Sequence, residues 1–169
     1  MVRSFLISAA AAALLLTQAA FAQGQLGTPE EAKPMGQLGT ADEAKAMLMK
    51  AVAAVKADKA KALDMFAKGE GGFKDRDLYP FCFNLSDGKV LPFANPIGRP
   101  LFGLDARTLK DAKGFVFGRA FWDAAQKPEG QITEVSYVFP KPGDDPTPVA
   151  KTSFITRAGD LGCGVGYYK

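Results

Sequence analysis

Histidine is absent from all 169 residues. With it go the commonest general base, the usual activator of a catalytic serine or cysteine, and the commonest zinc ligand. Cysteine is scarce: the two present, Cys82 and Cys163, are too few for a four-cysteine metal site. In an oxidising compartment they form either one disulfide or a pair of buried thiols. Charge of one sign is not in excess either. The 21 basic and 18 acidic residues leave a formal charge of +3, interspersed along the chain, so there is no basic stripe to hold a nucleic acid. After the first apolar run, no stretch is long enough to cross a bilayer.

That first run is informative. Arg3, an apolar stretch from Phe5 to Leu16, and Ala20-Phe21-Ala22 before Gln23 supply the three regions of a cleavable secretory signal. Residues 1–22 are expected to be removed near Ala22, leaving the protein in the periplasm or outside the cell; an uncleaved anchor would place it there too. The remainder is of single-domain size. Next the sequence repeats itself, Gly24 to Lys33 recurring as Gly36 to Lys45, each copy with a Thr-x-x-Glu capping box. Pro34 stops the first copy after about one turn, so residues 23–39 read as a flexible leader and 40–169 as the folded domain.

From Thr40, Ala44, Met47, Leu48, Ala51, Val52, Val55, Ala62, Leu63 and Phe66 keep helical spacing up to Gly69, a residue suited to a left-handed cap. One long amphipathic helix is expected. The period then changes: Leu78 to Leu85 and Val90 to Phe93 flank the turn Ser86-Asp87-Gly88-Lys89, giving a hairpin whose second strand is shortened by Pro92. A second helix is expected from Gly114 to Lys127. Strands follow at Gln131 to Phe139, Val149 to Arg157 and Leu161 to Tyr168. Helix, two strands, helix and three strands make an α+β antiparallel sheet with helices packed on it.

Few motifs carry chemistry. Gly162-Cys163-Gly164-Val165-Gly166 has no helix after it to present amides to a phosphate; alternate glycines on a strand instead leave one face bare for close packing. The acid pairs Asp75 with Asp77 and Asp144 with Asp145 lack the spacing of a calcium loop. No nucleophile has an evident activating base, so neither an enzyme nor a bound cofactor is expected.

The order and spacing of several short motifs carry more. Asp77-Leu78-Tyr79-Pro80-Phe81, Leu109-Lys110-Asp111-Ala112-Lys113-Gly114, Tyr137-Val138-Phe139-Pro140 with Lys151, and Gly164-Val165-Gly166-Tyr167-Tyr168 resemble the single Cache domain family over Thr40 to Lys169. The resemblance implies a PAS-like fold: a long N-terminal helix behind a five-stranded antiparallel sheet, with a ligand pocket between the sheet and a central helix. It also implies extracytoplasmic sensing of a small organic acid or amino acid on behalf of a membrane receptor or sensor kinase. Members are usually part of such a receptor, whereas no membrane helix follows Lys169 here, so a free-standing binding protein is expected. An accessory module with a vestigial pocket, docking through its long helix or sheet edge, is the alternative.

A small-anion pocket needs aromatic walls that exclude water and a cation or phenol to fix the carboxylate. The candidates are Phe81 and Phe83 on the first strand, Arg119 and Trp122 on the second helix, and Tyr137 and Lys151 on the later strands. Each has another use. Arg119 has Asp123 four residues on as a surface partner, Lys151 also suits a solvated strand face, and the rings also suit ordinary core packing.

Overall fold

The computed structural model describes residues 37–143 and 145–169. The export signal, the first repeat copy, the leader up to residue 36 and Asp144 lie outside the described residues.

Helix α1, Ala41–Ala57, begins at the second capping box: the Thr40 hydroxyl accepts from the Glu43 amide, and the Glu43 carboxylate accepts from the Thr40 amide at 2.9 Å. The expected single helix is in fact two. Asp58 leaves the helical conformation (φ −158°, ψ 97°) and its carboxylate accepts from the Lys61 amide at 3.0 Å, starting α2, Lys59–Lys68. A short acidic side chain competes for backbone donors, so it serves better as a cap than inside a helix. Gly69, at φ 74°, closes α2. Ahead of α1 the chain is already anchored, because the Gly39 amide donates to the buried Asp77 carboxylate at 2.6 Å. The last residues assigned to the leader therefore belong to the fold.

Four strands, β1 Pro80–Asn84, β2 Thr133–Pro140, β3 Pro148–Ala158 and β4 Leu161–Tyr168, form one antiparallel sheet in the order β1-β4-β3-β2. The fifth strand expected at Val90 to Phe93 is a correction. Its first residues pair with β1, Leu91 donating to the Cys82 carbonyl at 2.9 Å, but only as an isolated bridge at Val90. Pro92 has no amide to donate, and the Val90 amide faces the other edge, where it donates to Leu104. Helix α3, Phe117–Ala125, starts later than expected. The Asp111 carboxylate takes the Lys113 and Phe115 amides, each at 2.9 Å, and holds the preceding residues in a turn.

Strand alternation divides the core in two. On one face Cys82, Phe154, Cys163 and Val165 meet Leu48, Val52 and Phe66 of the helical pair. On the other, Phe83, Val135, Tyr137 and Ile155 meet Phe117 and Phe121 of α3. Cys82 and Cys163 are direct partners across β1 and β4, and a disulfide joins them.

Candidate functional site

The site lies on the α3 face of the sheet. There β4 presents Gly162, Gly164 and Gly166, and its neighbours occupy the space. A Cβ on Gly164 would sit 2.5 Å from Ile155 Cδ1 and 2.7 Å from Phe81 Cζ; one on Gly166 would sit 2.5 Å from Lys151 Cε. The bare strand thus seats the stem of Lys151. At Gly162 a Cβ would strike the Phe83 ring and lie 2.7 Å from Ala125 Cβ on α3. Gly162→Ala is therefore expected to destabilise the fold by about 1–3 kcal/mol. A urea midpoint equal to wild type would contradict the close approach.

Between the sheet and α3 remains a cavity of about 40 Å³, walled by Tyr79, Phe81, Phe83, Phe121, Tyr137, Phe139 and their neighbours. Rings fill most of the space around it: Phe117 stacks on Tyr137 at 4.6 Å and Phe81 on Phe121 at 5.3 Å between centroids. What is left would hold a few atoms, since a single water needs at least about 10–15 Å³ by this measure.

Lys151, only 2% exposed, does not line that cavity but reaches two of the rings that do. Its Nζ lies 4.5 Å from the Tyr168 ring centroid, 5.0 Å from that of Tyr79 and 5.2 Å from that of Phe139. It donates to the Tyr79 and Tyr168 hydroxyls at 3.3 and 3.4 Å, longer than the 2.7–3.2 Å usual for such bonds. Among the described residues no carboxylate pairs with it. Tyr79 and Phe139 belong both to this cage and to the cavity wall, so ammonium and cavity share two side chains.

Tyr137, the register partner of Lys151, is bonded through its hydroxyl to that of Ser153 at 3.0 Å. Burial, with neighbouring Tyr79 adding to it, pushes the Tyr137 phenol well above its ordinary range; burial, Tyr79 and then Asp77 do the same for Tyr168. An unfolded tyrosine ionises near pH 10 while the buried one stays neutral. The stability Tyr137 contributes is therefore complete below about pH 10 and lost as pH rises above it, at about 1.4 kcal/mol per pH unit. Urea unfolding of wild type and Tyr137→Phe between pH 8 and 11.5 checks this, because the wild-type stability should fall more steeply by that slope. Parallel curves would contradict it.

The six sequence candidates divide into two groups. Phe81, Phe83 and Tyr137 line the cavity, and Lys151 does not but shares the Tyr79 and Phe139 rings with it. Arg119 does not take part: it lies on the exposed side of α3, with Nε 3.1 Å from the Asp123 carboxylate. Trp122 also faces away, stacked on Phe83 at 6.2 Å, with the Arg107 guanidinium 4.7 Å from its centroid. Tyr79 and Tyr168 were missed as site residues. Parity along the strands would have found both, since Tyr79 precedes Phe81 by two positions and Tyr168 continues the series of Gly162, Gly164 and Gly166.

No protein-family model and no curated protein matches the sequence. Solved structures do. A methyl-accepting chemotaxis protein from Vibrio parahaemolyticus RIMD 2210633 is 24% identical with a TM-score of 0.58, over 75% of this chain and 86% of that one. A Cache chemosensory domain described for its recognition of carboxylic acid is 21% identical with a TM-score of 0.56, over 75% and 91%. The fold is that of a Cache chemosensory domain. A further periplasmic sensor domain of a chemotaxis protein agrees, at 21% identity and a TM-score of 0.54, over 75% and 88%. On this Cache fold, Lys151 and its aromatic cage lie on the face that α3 covers.

Proposed function

We propose that the domain works outside the cytoplasm as a sensor, binding a small carboxylate beside Lys151 without changing it chemically and passing occupancy to a membrane receptor or sensor kinase. One observation carries this: a buried ammonium, caged by three rings and weakly hydrogen-bonded, with no anionic partner among the described residues. Burying a lone cation costs several kcal/mol, and an anion brought into hydrogen-bonding contact offsets that cost. The cavity that shares the Tyr79 and Phe139 rings with Lys151 is apolar and small, about 40 Å³, which suits an aliphatic tail of one or two carbons. A monocarboxylate of two or three carbons fits better than a long or branched acid.

The signal pattern and the disulfide support an extracytoplasmic location. Among the described residues no helix is long and apolar enough to cross a membrane. Catalysis has no support from the side chains. Histidine is absent, and both cysteines are tied up in the disulfide.

A thermal-shift series running from formate to valerate, with amino acids and dicarboxylates beside it, tests the proposal. A ligand at about 100 times its Kd adds roughly 2.7 kcal/mol, which should raise the melting temperature by about 5–10 °C. The largest shift is expected from the two- and three-carbon acids, and a flat response across the series would count against binding. How nearly the rings fill the pocket favours one second function, an accessory module with a vestigial pocket. A silent series together with stoichiometric binding to a receptor ectodomain would establish that role instead.

A further inference from the structure

The two edges of the sheet are finished differently. β1 and β2 are its outer strands. The outer side of β1 is met by the segment that follows it, where Leu91 donates to the Cys82 carbonyl and Asn84 donates to the Lys89 carbonyl, at 2.9 and 3.0 Å. On β2 only one end is closed. There the Asp111 carboxylate accepts from the Val138 amide at 3.1 Å, and Pro140 ends the strand. Backbone groups face alternate sides along a strand, so Glu134 and Ser136 turn their amides and carbonyls to the same outer side as Val138. Among the described residues none of those four groups has a partner. An open edge is ordinarily blunted by lysine, proline or a covering loop, because it templates another strand. Lys127, which stands on this side, is instead folded onto the Thr133 hydroxyl at 3.0 Å.

Beside the open edge, between β2 and α3, runs a groove of about 430 Å³ walled by Phe115, Ala120, Ala124 and Val135, among others. The Phe115 ring is 46% exposed there. Charge along the edge is unbalanced as well. Asp123 is held by Arg119 at 3.1 Å, whereas the exposed Glu134 has no ion pair among the described residues.

We propose that this edge and groove are a docking surface for an extended segment of a partner protein, added to the sheet against β2, in which an apolar residue is flanked by basic ones. The pattern follows from strand parity. The incoming residue opposite Val135 points with it into the groove, against Phe115, Ala120 and Ala124, and is therefore apolar. Those opposite Glu134 and Ser136 share the face of Glu134, where a lysine or arginine meets the free carboxylate directly or diagonally. The main chain adds hydrogen bonds to the four open groups whatever the sequence. A second copy of this chain fits less well. The symmetric pairing that satisfies all four groups sets Glu134 opposite Ser136 of the other copy and leaves the two Glu134 carboxylates as diagonal neighbours, a like-charge contact.

Helix α3 lies between this groove and the ring-lined cavity. Phe117 and Phe121 line the cavity, and Ala120 and Ala124 line the groove, so a shift of α3 on ligand binding changes the groove's width. As the place where a receptor reads occupancy, the groove rests on the sensing role proposed above; as a docking surface it stands without it.

Titrating the purified protein with two short peptides, acetyl-KVKVK-amide and acetyl-EVEVE-amide, tests this in 15N–1H spectra recorded without any carboxylate ligand. The lysine peptide is expected to move the Glu134 and Ser136 amide signals and to slow their hydrogen exchange. The glutamate peptide should bind about 5-fold more weakly or worse, as opposite and like charges across a strand pair imply. Glu134→Lys, at an exposed position, should keep the fold and reverse the preference. Four results would each overturn the proposal: no shift of these signals by either peptide, equal affinity for both, a preference unchanged in Glu134→Lys, or sedimentation and exchange data showing that the free chain pairs with itself through these amides. Acetate and propionate titrations report on the Lys151 site separately, so failure there and failure here are told apart.

Discussion

Lys151→Met is expected to weaken the response to small carboxylates by about 10- to 150-fold in affinity while leaving the free domain at least as stable as wild type. The two halves of this result have one cause. In the free protein the ammonium is buried behind Tyr79, Phe139 and Tyr168 with only two long hydrogen bonds, so its desolvation is poorly compensated. Cation–π contact returns about 0.5–2 kcal/mol, less than the several kcal/mol lost on removing a charge from water. Methionine has nearly the same length, fills the same slot over Gly166 and needs no counterion. In the bound state the lysine provides a charge-assisted hydrogen bond worth about 1.5–3 kcal/mol, so affinity should drop by about 10- to 150-fold. Calorimetric titration with acetate or propionate, alongside thermal melts without ligand, measures both. Unchanged affinity would remove Lys151 from the site, and a large fall in melting temperature would make it a structural residue.

Reducing the Cys82–Cys163 bond should have the largest effect on stability. The bond closes a segment with a sequence separation of 81 residues, and chain entropy over a loop of that length corresponds to about 4.5 kcal/mol. For a domain of this size the melting temperature should fall by roughly 10–20 °C. The bond also ties β1, which carries Phe81 and Phe83, to β4, which seats the Lys151 stem, so it clamps two walls of the site together. Melting with and without a strong reductant checks the magnitude, and the Cys82→Ala/Cys163→Ala double variant separates reduction from other effects of the reagent. A change below a few degrees would mean that the sheet hydrogen bonds alone hold that edge.

What could be read in the sequence is what depends on neighbours along the chain. The Thr40 capping box, the Gly69 cap, the turn at Ser86 to Lys89 and the whole of β4 are set by local chemistry, and each stands where its residues placed it. The break at Asp58 was hidden because the apolar spacing runs through it undisturbed. The expected fifth strand shrinks to one bridge at Val90, beside Pro92, while the other edge of Val90 is taken by Gly103 and Leu104, a contact that pattern reading does not see. For α3 the geometry was available and unused. With Phe117 and Phe121 facing the sheet, 100° per residue places Arg119 on the opposite side, where it meets Asp123 instead of a ligand. The value of Lys151 is not local at all. It rests on the register that sets it opposite Tyr137 and Tyr168, and on three rings from three separate segments closing over it.

The most direct measurement is a crystal structure of the protein grown with the short carboxylate that shifts its melting point most. The expected density shows one carboxylate oxygen about 2.7–2.9 Å from Lys151 Nζ, with the tail inside the ring-lined cavity. A closed, ligand-free ring cluster, or a carboxylate bound elsewhere with Lys151 still unpaired, would contradict carboxylate sensing by this domain.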